Sequence, residues 1–265
     1  MSERGTGRRA LVVGGSSGIG RATAVRLAEL GCAVVVVGRR EDRLDEVAAR
    51  TGAHAVVADV AEPEQCRALV EEAARRLGGI DLIVHAASAS GLSLLRHTTS
   101  EDWLGVLRTN VVGPAMVVQA ALPRLGESAV VCVVSSESVG NPYPGLVPYG
   151  VSKAAVEELV RGLRIEHPEV RFCCLRVGST DGTDFARDFS PELGAELFPR
   201  WIAMGRMPAK MMGVDELGRT IADTMAAALA TPGLDMQDLV IRAAGGTYSG
   251  DAGFMLDHVQ EVATR

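Results

Sequence analysis

The chain has 265 residues, 47% of them hydrophobic and 23% charged, with a formal net charge of −6. That length fits one large α/β domain better than two, and it can bury a core that needs neither disulfide nor metal. An ordinary apolar fraction excludes a disordered chain. Mild acidity and 4% aromatic residues argue against a nucleic-acid surface of clustered positive charge and stacking platforms.

Only Lys153 and Lys210 are lysines among the 27 basic residues, so a lysine at any given position is a rare event. The five cysteines, Cys32, Cys66, Cys132, Cys173 and Cys174, show no metal-ligand spacing. Four sit in or beside apolar runs and read as small hydrophobes in a reducing compartment. The polar start with Arg4, Arg8 and Arg9 precedes an apolar run too short for a secretion signal, and no run reaches membrane-spanning length. The expectation is a soluble, cytoplasmic protein with a small-molecule partner, no nucleic acid, no membrane and no metal.

In chain order, short β-branched apolar runs at 10–13, 33–37, 54–58, 82–86, 129–134, 170–177 and 239–241 alternate with amphipathic stretches. These stretches lie at 19–30, 41–50, 62–77, 101–125, 152–166 and 215–230. Runs apolar on both faces are the mark of parallel strands covered on both sides. The alternation predicts an α/β fold, an open, doubly wound parallel sheet of seven strands with helices on both faces. Ligands in such sheets bind beyond the carboxyl ends of the strands, where strand order reverses. One segment, about 183–213, breaks the rhythm with Phe, Met and Pro. It reads as a substrate lid or as a surface helix pair.

The first strand runs into Gly14-Gly15-Ser16-Ser17-Gly18-Ile19-Gly20 and straight into a helix. Gly14 permits the tight turn, Gly18 a close backbone approach to pyrophosphate, and Gly20 close packing of helix on strand. The helix start offers free N–H groups and a positive dipole end to phosphate. No phosphate-binding G-x-x-x-x-G-K-[ST] follows. The second strand ends in Gly38-Arg39-Arg40 rather than in an acidic residue. The Arg39 guanidinium suits a 2′-phosphate, with Ser16 as an added hydroxyl donor, and points to NADP(H). The plainer alternative is a solvated arginine pair facing Glu41 and Asp42. Asp59, before Val60, is placed either to bond the adenine amino group or to cap the next helix.

After the fifth strand come Ser135 and Ser136, then Tyr149-x-x-x-Lys153. At i and i+4 on a helix the phenol and ammonium share a face. A cation there favours phenolate, and moving the phenol from about 10 toward 7 needs about 4 kcal/mol. Such a phenol serves as general acid or base at neutral pH, and Ser136 can donate to a substrate carbonyl. Asn110, polar amid apolar neighbours in the long 101–125 stretch, could hold a water that relays protons to Lys153.

With these residues the chain resembles the short-chain dehydrogenase/reductase superfamily, in its ordinary-length branch, over about residues 8–246. The resemblance implies a single Rossmann-like domain, a homotetramer or homodimer, and hydride transfer between a nicotinamide and a carbonyl/alcohol pair; with the Arg39 reading, this becomes NADP(H) and a ketone/secondary alcohol. It assigns Tyr149 as acid/base, Lys153 as its tuner and ribose ligand, Ser136 as substrate-orienting and Asn110 as relay. Val177, Gly178 and Thr180 would contact the nicotinamide, and Ala86 and Ala87 would also line the cofactor. The chain departs from the family pattern at Val13 (usually threonine), at His85-Ala86-Ala87-Ser88 (usually Asn-Asn-Ala-Gly) and at Val177 (usually proline). His85 reads as a buried structural histidine ahead of an extra acid/base. The lid residues Phe185, Phe189, Leu193, Leu197, Phe198, Trp201, Met204, Met207, Met211 and Met212 suggest a largely apolar substrate. The alternatives are a non-catalytic NADP(H)-binding regulator and a non-redox dehydratase or epimerase.

Overall fold

The computed structural model describes residues 7–247. Residues 1–6 and 248–265 of the expected 1–265 domain, Arg4 among them, lie outside the described residues. Nine strands and eight α-helices alternate: β1 (Arg9–Val13), α1 (Gly18–Glu29), β2 (Ala33–Gly38), α2 (Glu41–Thr51), β3 (His54–Val57), α3 (Pro63–Leu77), β4 (Ile80–His85), α4 (Ser100–Leu107), α5 (Gly113–Ala121), β5 (Leu125–Ser136), α6 (Val147–Glu166), β6 (Arg171–Val177), β7 (Thr180–Asp181), α7 (Pro191–Ala203), β8 (Met212–Gly213), α8 (Val214–Ala230) and β9 (Asp238–Ile241). Seven strands form one sheet in the order β3-β2-β1-β4-β5-β6-β9, every pair parallel. The chain winds outward from β1 to β3, then returns to β4 beside β1, so strand order reverses between β1 and β4.

The strands are apolar on both faces because both faces are covered. On one side Ala10, Val12, Val34 and Val36 pack with Leu27 of α1 and Leu217, Ile221 and Met225 of α8. On the other, Leu11, Val13 and Val35 pack with Leu69 of α3, Val117 of α5 and Val156 and Val160 of α6. Helices α1 and α8 touch backbone to backbone: a Cβ on Gly218 would lie 2.4 Å from that of Ala22. All five cysteines are buried and free, as small hydrophobes in these two layers and beside them. Among the described residues no helix is long and apolar enough to cross a membrane, and no group of His, Cys, Asp or Glu is placed to hold a metal.

Two stretches depart from the sequence expectation. The 101–125 pattern is not one helix: α4 gives way to a π-turn, Arg108–Val112, before α5, and a 3₁₀ turn ends it at Arg124. Pro114 is the reason at hand, because it has no N–H to give the carbonyl of residue 110 four positions back. Helix α6 starts at Val147, five residues earlier than the apolar periodicity suggested, with Pro148 in its first turn. Tyr149 therefore stands at the helix entrance. The 183–213 segment holds one helix, α7, flanked by the two-residue strands β7 and β8 that pair with each other. It encloses a third apolar cluster with Leu92, Tyr143, Leu146 and Tyr149.

Candidate active site

A cleft of about 390 Å³ opens at the carboxyl ends of β1, β4, β5 and β6, beside the reversal of strand order. Its floor is the glycine turn. Gly14 and Gly15 both donate backbone hydrogen bonds to Val37, and Ala86 donates to Val13, which locks the turn between β2 and β4. Gly14 has φ +86°, and a Cβ there would lie 2.5 Å from the Ala87 nitrogen. A Cβ on Gly20 would lie 2.2 Å from the Gly14 carbonyl oxygen. Both positions therefore require glycine on steric grounds. Helix α1 begins with no acidic residue in its first turn, and the Ser17 hydroxyl makes no capping bond. The cradle and the helix start together fit a dinucleotide pyrophosphate by the donor chemistry of a helix N-terminus.

The arginine pair is ordered differently from expectation. Arg39 is largely exposed and reaches Asp59 at 3.6 Å. Arg40 turns inward: its Nη2 donates to Ser17 Oγ at 2.6 Å and to Asp184 at 2.7 Å, and lies 3.5 Å from Ser16 Oγ. Arg43 and Arg187 also pair with Asp184. Burial pushes the Asp184 carboxyl up, but hydrogen bonds from Arg40 and Ser17 and the Arg40 and Arg187 charges together hold it below the usual carboxylate range. Asp59 accepts from the Ala61 N–H at 2.9 Å, which closes a local turn ahead of α3, while Glu62 takes the N-cap position.

At the other end of the cleft, Tyr149 and Lys153 share one face of α6. The Lys153 ammonium lies 5.7 Å from the centroid of the Tyr149 ring and donates to the Val134 carbonyl at 2.9 Å. It sits over the ring face. The expected acidification of the phenol by the ammonium is not what this geometry gives. Burial dominates and pushes Tyr149 up to about 12, a hydrogen bond with Ser136 works the other way, and the Glu137 charge raises it further. Burial also lowers Lys153 to about 8. The phenol is thus a loaded proton donor at neutral pH. Phe185 packs its ring against Tyr149 at 5.1 Å between centroids, edge to face.

Every expected site residue lines this cleft except Asn110: the glycine turn with Ser16, Ser17 and Ile19, Arg39, Arg40, Asp59, Val60, Ala86, Ala87, Ser136, Tyr149, Lys153, Val177, Gly178 and Thr180. Asn110 is buried, and its amide is spent on four hydrogen bonds. Oδ1 accepts from Ser88 Oγ and the Ala89 N–H; Nδ2 donates to the Ala89 carbonyl and to Ser152 Oγ. Ser152 in turn donates to the Tyr149 carbonyl. The side chain expected to hold a relay water splices the loop after β4 to the helix that carries Tyr149. His85 is buried beneath the cleft, and burial with the nearby Lys153 charge lowers it to about 3, so it is neutral.

Residues that belong to no sequence motif also line the cleft, notably Glu137, Ser138, Tyr143, Thr183 and Asp184. Glu137 had a visible signal, an acid directly after Ser136 at the end of a buried strand. Of the expected lid residues, Phe185, Phe189, Phe198, Trp201, Met207 and Met211 line the cleft, whereas Leu197 is wholly buried in the third cluster and Met204 faces solvent.

The family model for short chain dehydrogenases matches residues 8–194. The chain belongs to the short-chain dehydrogenase family. An oxidoreductase of Sarocladium schorii, asL5, is 31% identical over 220 residues, 81% of this chain and 86% of that one. Human dehydrogenase/reductase SDR family member 4 is 35% identical over 189 residues, 67% of each chain. Among solved structures, a short chain dehydrogenase from Burkholderia cenocepacia J2315 in complex with NADP superposes with a TM-score of 0.76 at 28% identity, covering 90% of this chain and 98% of that one. A dehydrogenase/reductase from Sinorhizobium meliloti 1021 superposes with a TM-score of 0.76 at 26% identity, covering 89% of this chain and 94% of that one. As a short-chain dehydrogenase the chain is an oxidoreductase acting on alcohol/carbonyl pairs with a nicotinamide cofactor and a small-molecule substrate.

Proposed function

We propose that this short-chain dehydrogenase is an NADP(H)-dependent enzyme that interconverts a largely apolar ketone and its secondary alcohol. The convergence of Ser136, Tyr149 and Lys153 at the end of the glycine-floored cleft carries this reading. The bound nicotinamide would supply or accept the hydride. Of the chain's own groups, Ser136 and Tyr149 would hold the substrate oxygen by hydrogen bonds, and Tyr149 Oη would give it the proton in reduction. Lys153, anchored by the Val134 carbonyl, keeps further ammonium hydrogens for ribose hydroxyls. Gly14, Ser17, Gly18, Ile19 and Gly20 would hold the pyrophosphate, with Val60, Ala86 and Ala87 along the nucleoside and Val177, Gly178 and Thr180 at the nicotinamide.

Two observations support the 2′-phosphate. The strand end carries Gly38 and no acidic residue, and a Cβ there would crowd Ser16 Oγ at 2.9 Å. Arg40, together with Ser16 and Ser17, presents a guanidinium and two hydroxyls there. The Burkholderia relative's complex with NADP agrees. The 183–213 segment would act as the lid: Phe189, Phe198, Trp201 and Met207 give it an apolar inner wall. We assign the protein to the cytoplasm on its free, buried cysteines, and to a homotetramer or homodimer on the family's pattern. The test is NADPH oxidation over a panel of ketones with wild type and Tyr149→Phe. Turnover should fall at least about a hundredfold in the variant while NADPH binding stays near wild type. Turnover that survives the substitution overturns the acid/base assignment.

A further inference from the structure

We propose that Glu137 is a positioning residue of the reaction: it clamps segment 177–179 against the end of the strand that carries Ser136. The clamp has two jaws. The Glu137 backbone N–H donates to the Val177 carbonyl at 2.9 Å. Its side-chain Oε1 accepts from the Ser179 N–H at 2.9 Å and from Ser179 Oγ at 3.0 Å. Gly178 fills the bite, where an added Cβ would lie 3.1 Å from Oε2. Oε2 pairs with Arg242 beyond β9 at 3.2 Å. Tyr143 spends its one hydroxyl proton on the Arg206 carbonyl at 2.9 Å and meets Glu137 only at 3.4 Å. The side chain is 14% exposed. A carboxylate held that deep is costly unless its acceptor capacity is used, and here Ser179 and Arg242 use it.

This inference rests on the proposed reading of Tyr149 and of the 177–180 segment. A second consequence concerns charge. Around the carboxylate and the phenol stand Tyr149 and Lys153 from α6, Tyr143 from the loop before it, Arg206 beyond α7 and Arg242 beyond β9. Glu137 is the negative member of that set and disfavours phenolate at Tyr149. Replacing it with glutamine keeps an acceptor for Ser179 and removes the charge, so the phenol loses its proton at lower pH.

The experiment compares wild type, Glu137→Ala and Glu137→Gln in NADPH titrations, ketone-reduction kinetics against pH, and thermal melting. Glu137→Ala should weaken NADPH binding about tenfold, and Glu137→Gln should recover most of that loss. In Glu137→Gln the alkaline limb of reduction should move down by about half a pH unit. An unchanged NADPH affinity in the alanine variant, or a glutamine variant that fails to recover it, overturns the clamp. If the alanine variant does not fold, Ser179→Ala takes its place: losing the Ser179 Oγ bond to Glu137 should weaken NADPH binding severalfold, and an unchanged affinity overturns the clamp. Wild-type protein that neither binds NADPH nor turns over would sink the functional reading itself, a result distinct from any of these.

Discussion

The two ends of the cleft are built by different physics. At the nucleotide end, backbone meets backbone: Gly14 packs on Ala87, Gly20 on Gly14, Gly113 on Val60, with 2.2–2.9 Å to an imagined Cβ. At the substrate end, side chain meets side chain. Tyr143 packs edge-on to Trp201 at 5.2 Å, Phe198 lies 5.0 Å from Trp201, and Phe185 bridges Tyr149 and Phe189. A backbone contact tolerates one residue type, whereas an aromatic cluster tolerates many shapes of similar volume. The first end is suited to a ligand of one fixed shape, the second to ligands whose shape can vary.

The harshest way to break this contrast is Gly20→Ala. Its added methyl meets a carbonyl in a turn fixed on both sides, and the expected cost is at least about 3 kcal/mol with NADPH binding lost. Fluorescence titration and melting would read it; normal binding would show the turn to be slack. Trp201→Ala is the counterpart. It removes two aromatic contacts and the indole bond to the Pro144 carbonyl, about 3 kcal/mol of local packing. KM for apolar ketones should rise while NADPH affinity stays within about twofold. A comparable loss of cofactor would merge the two ends into one unit. The smallest effect sharpens the nucleotide end alone. Arg40→Ala should cost about 1–2 kcal/mol of preference for NADPH over NADH, and Arg39→Ala less, because Arg39 faces solvent and Asp59. The reverse ranking in paired Kd measurements would restore the sequence-based choice of Arg39.

The same division decides what the sequence could reveal. Strands such as β1, buried along Ala10–Val13 on both faces, announce themselves as apolar runs, and the glycine turn does so by spacing. Tyr149 and Lys153 were legible because helical spacing is fixed. Their electrostatics were not: spacing brings the ammonium near, but burial, the Ser136 hydrogen bond and the Glu137 charge decide the phenol's acidity. Asn110 was legible as an oddity, not as a splice, because its partners at Ala89 and Ser152 come from segments far away in sequence. Arg39 and Arg40 differ only in which way each side chain leaves the β2–α2 turn. Adjacent identical residues carry no mark of that.

The scarcity of lysine has a practical outcome. Lys153 is 3% exposed, while Lys210 lies on the outer end of the 183–213 segment, open to solvent. A mild acylating dye should therefore spare the first and mark the second, apart from the chain's amino group. Conjugation at that side-chain ammonium would fasten a reporter to the 183–213 segment without any cysteine engineering.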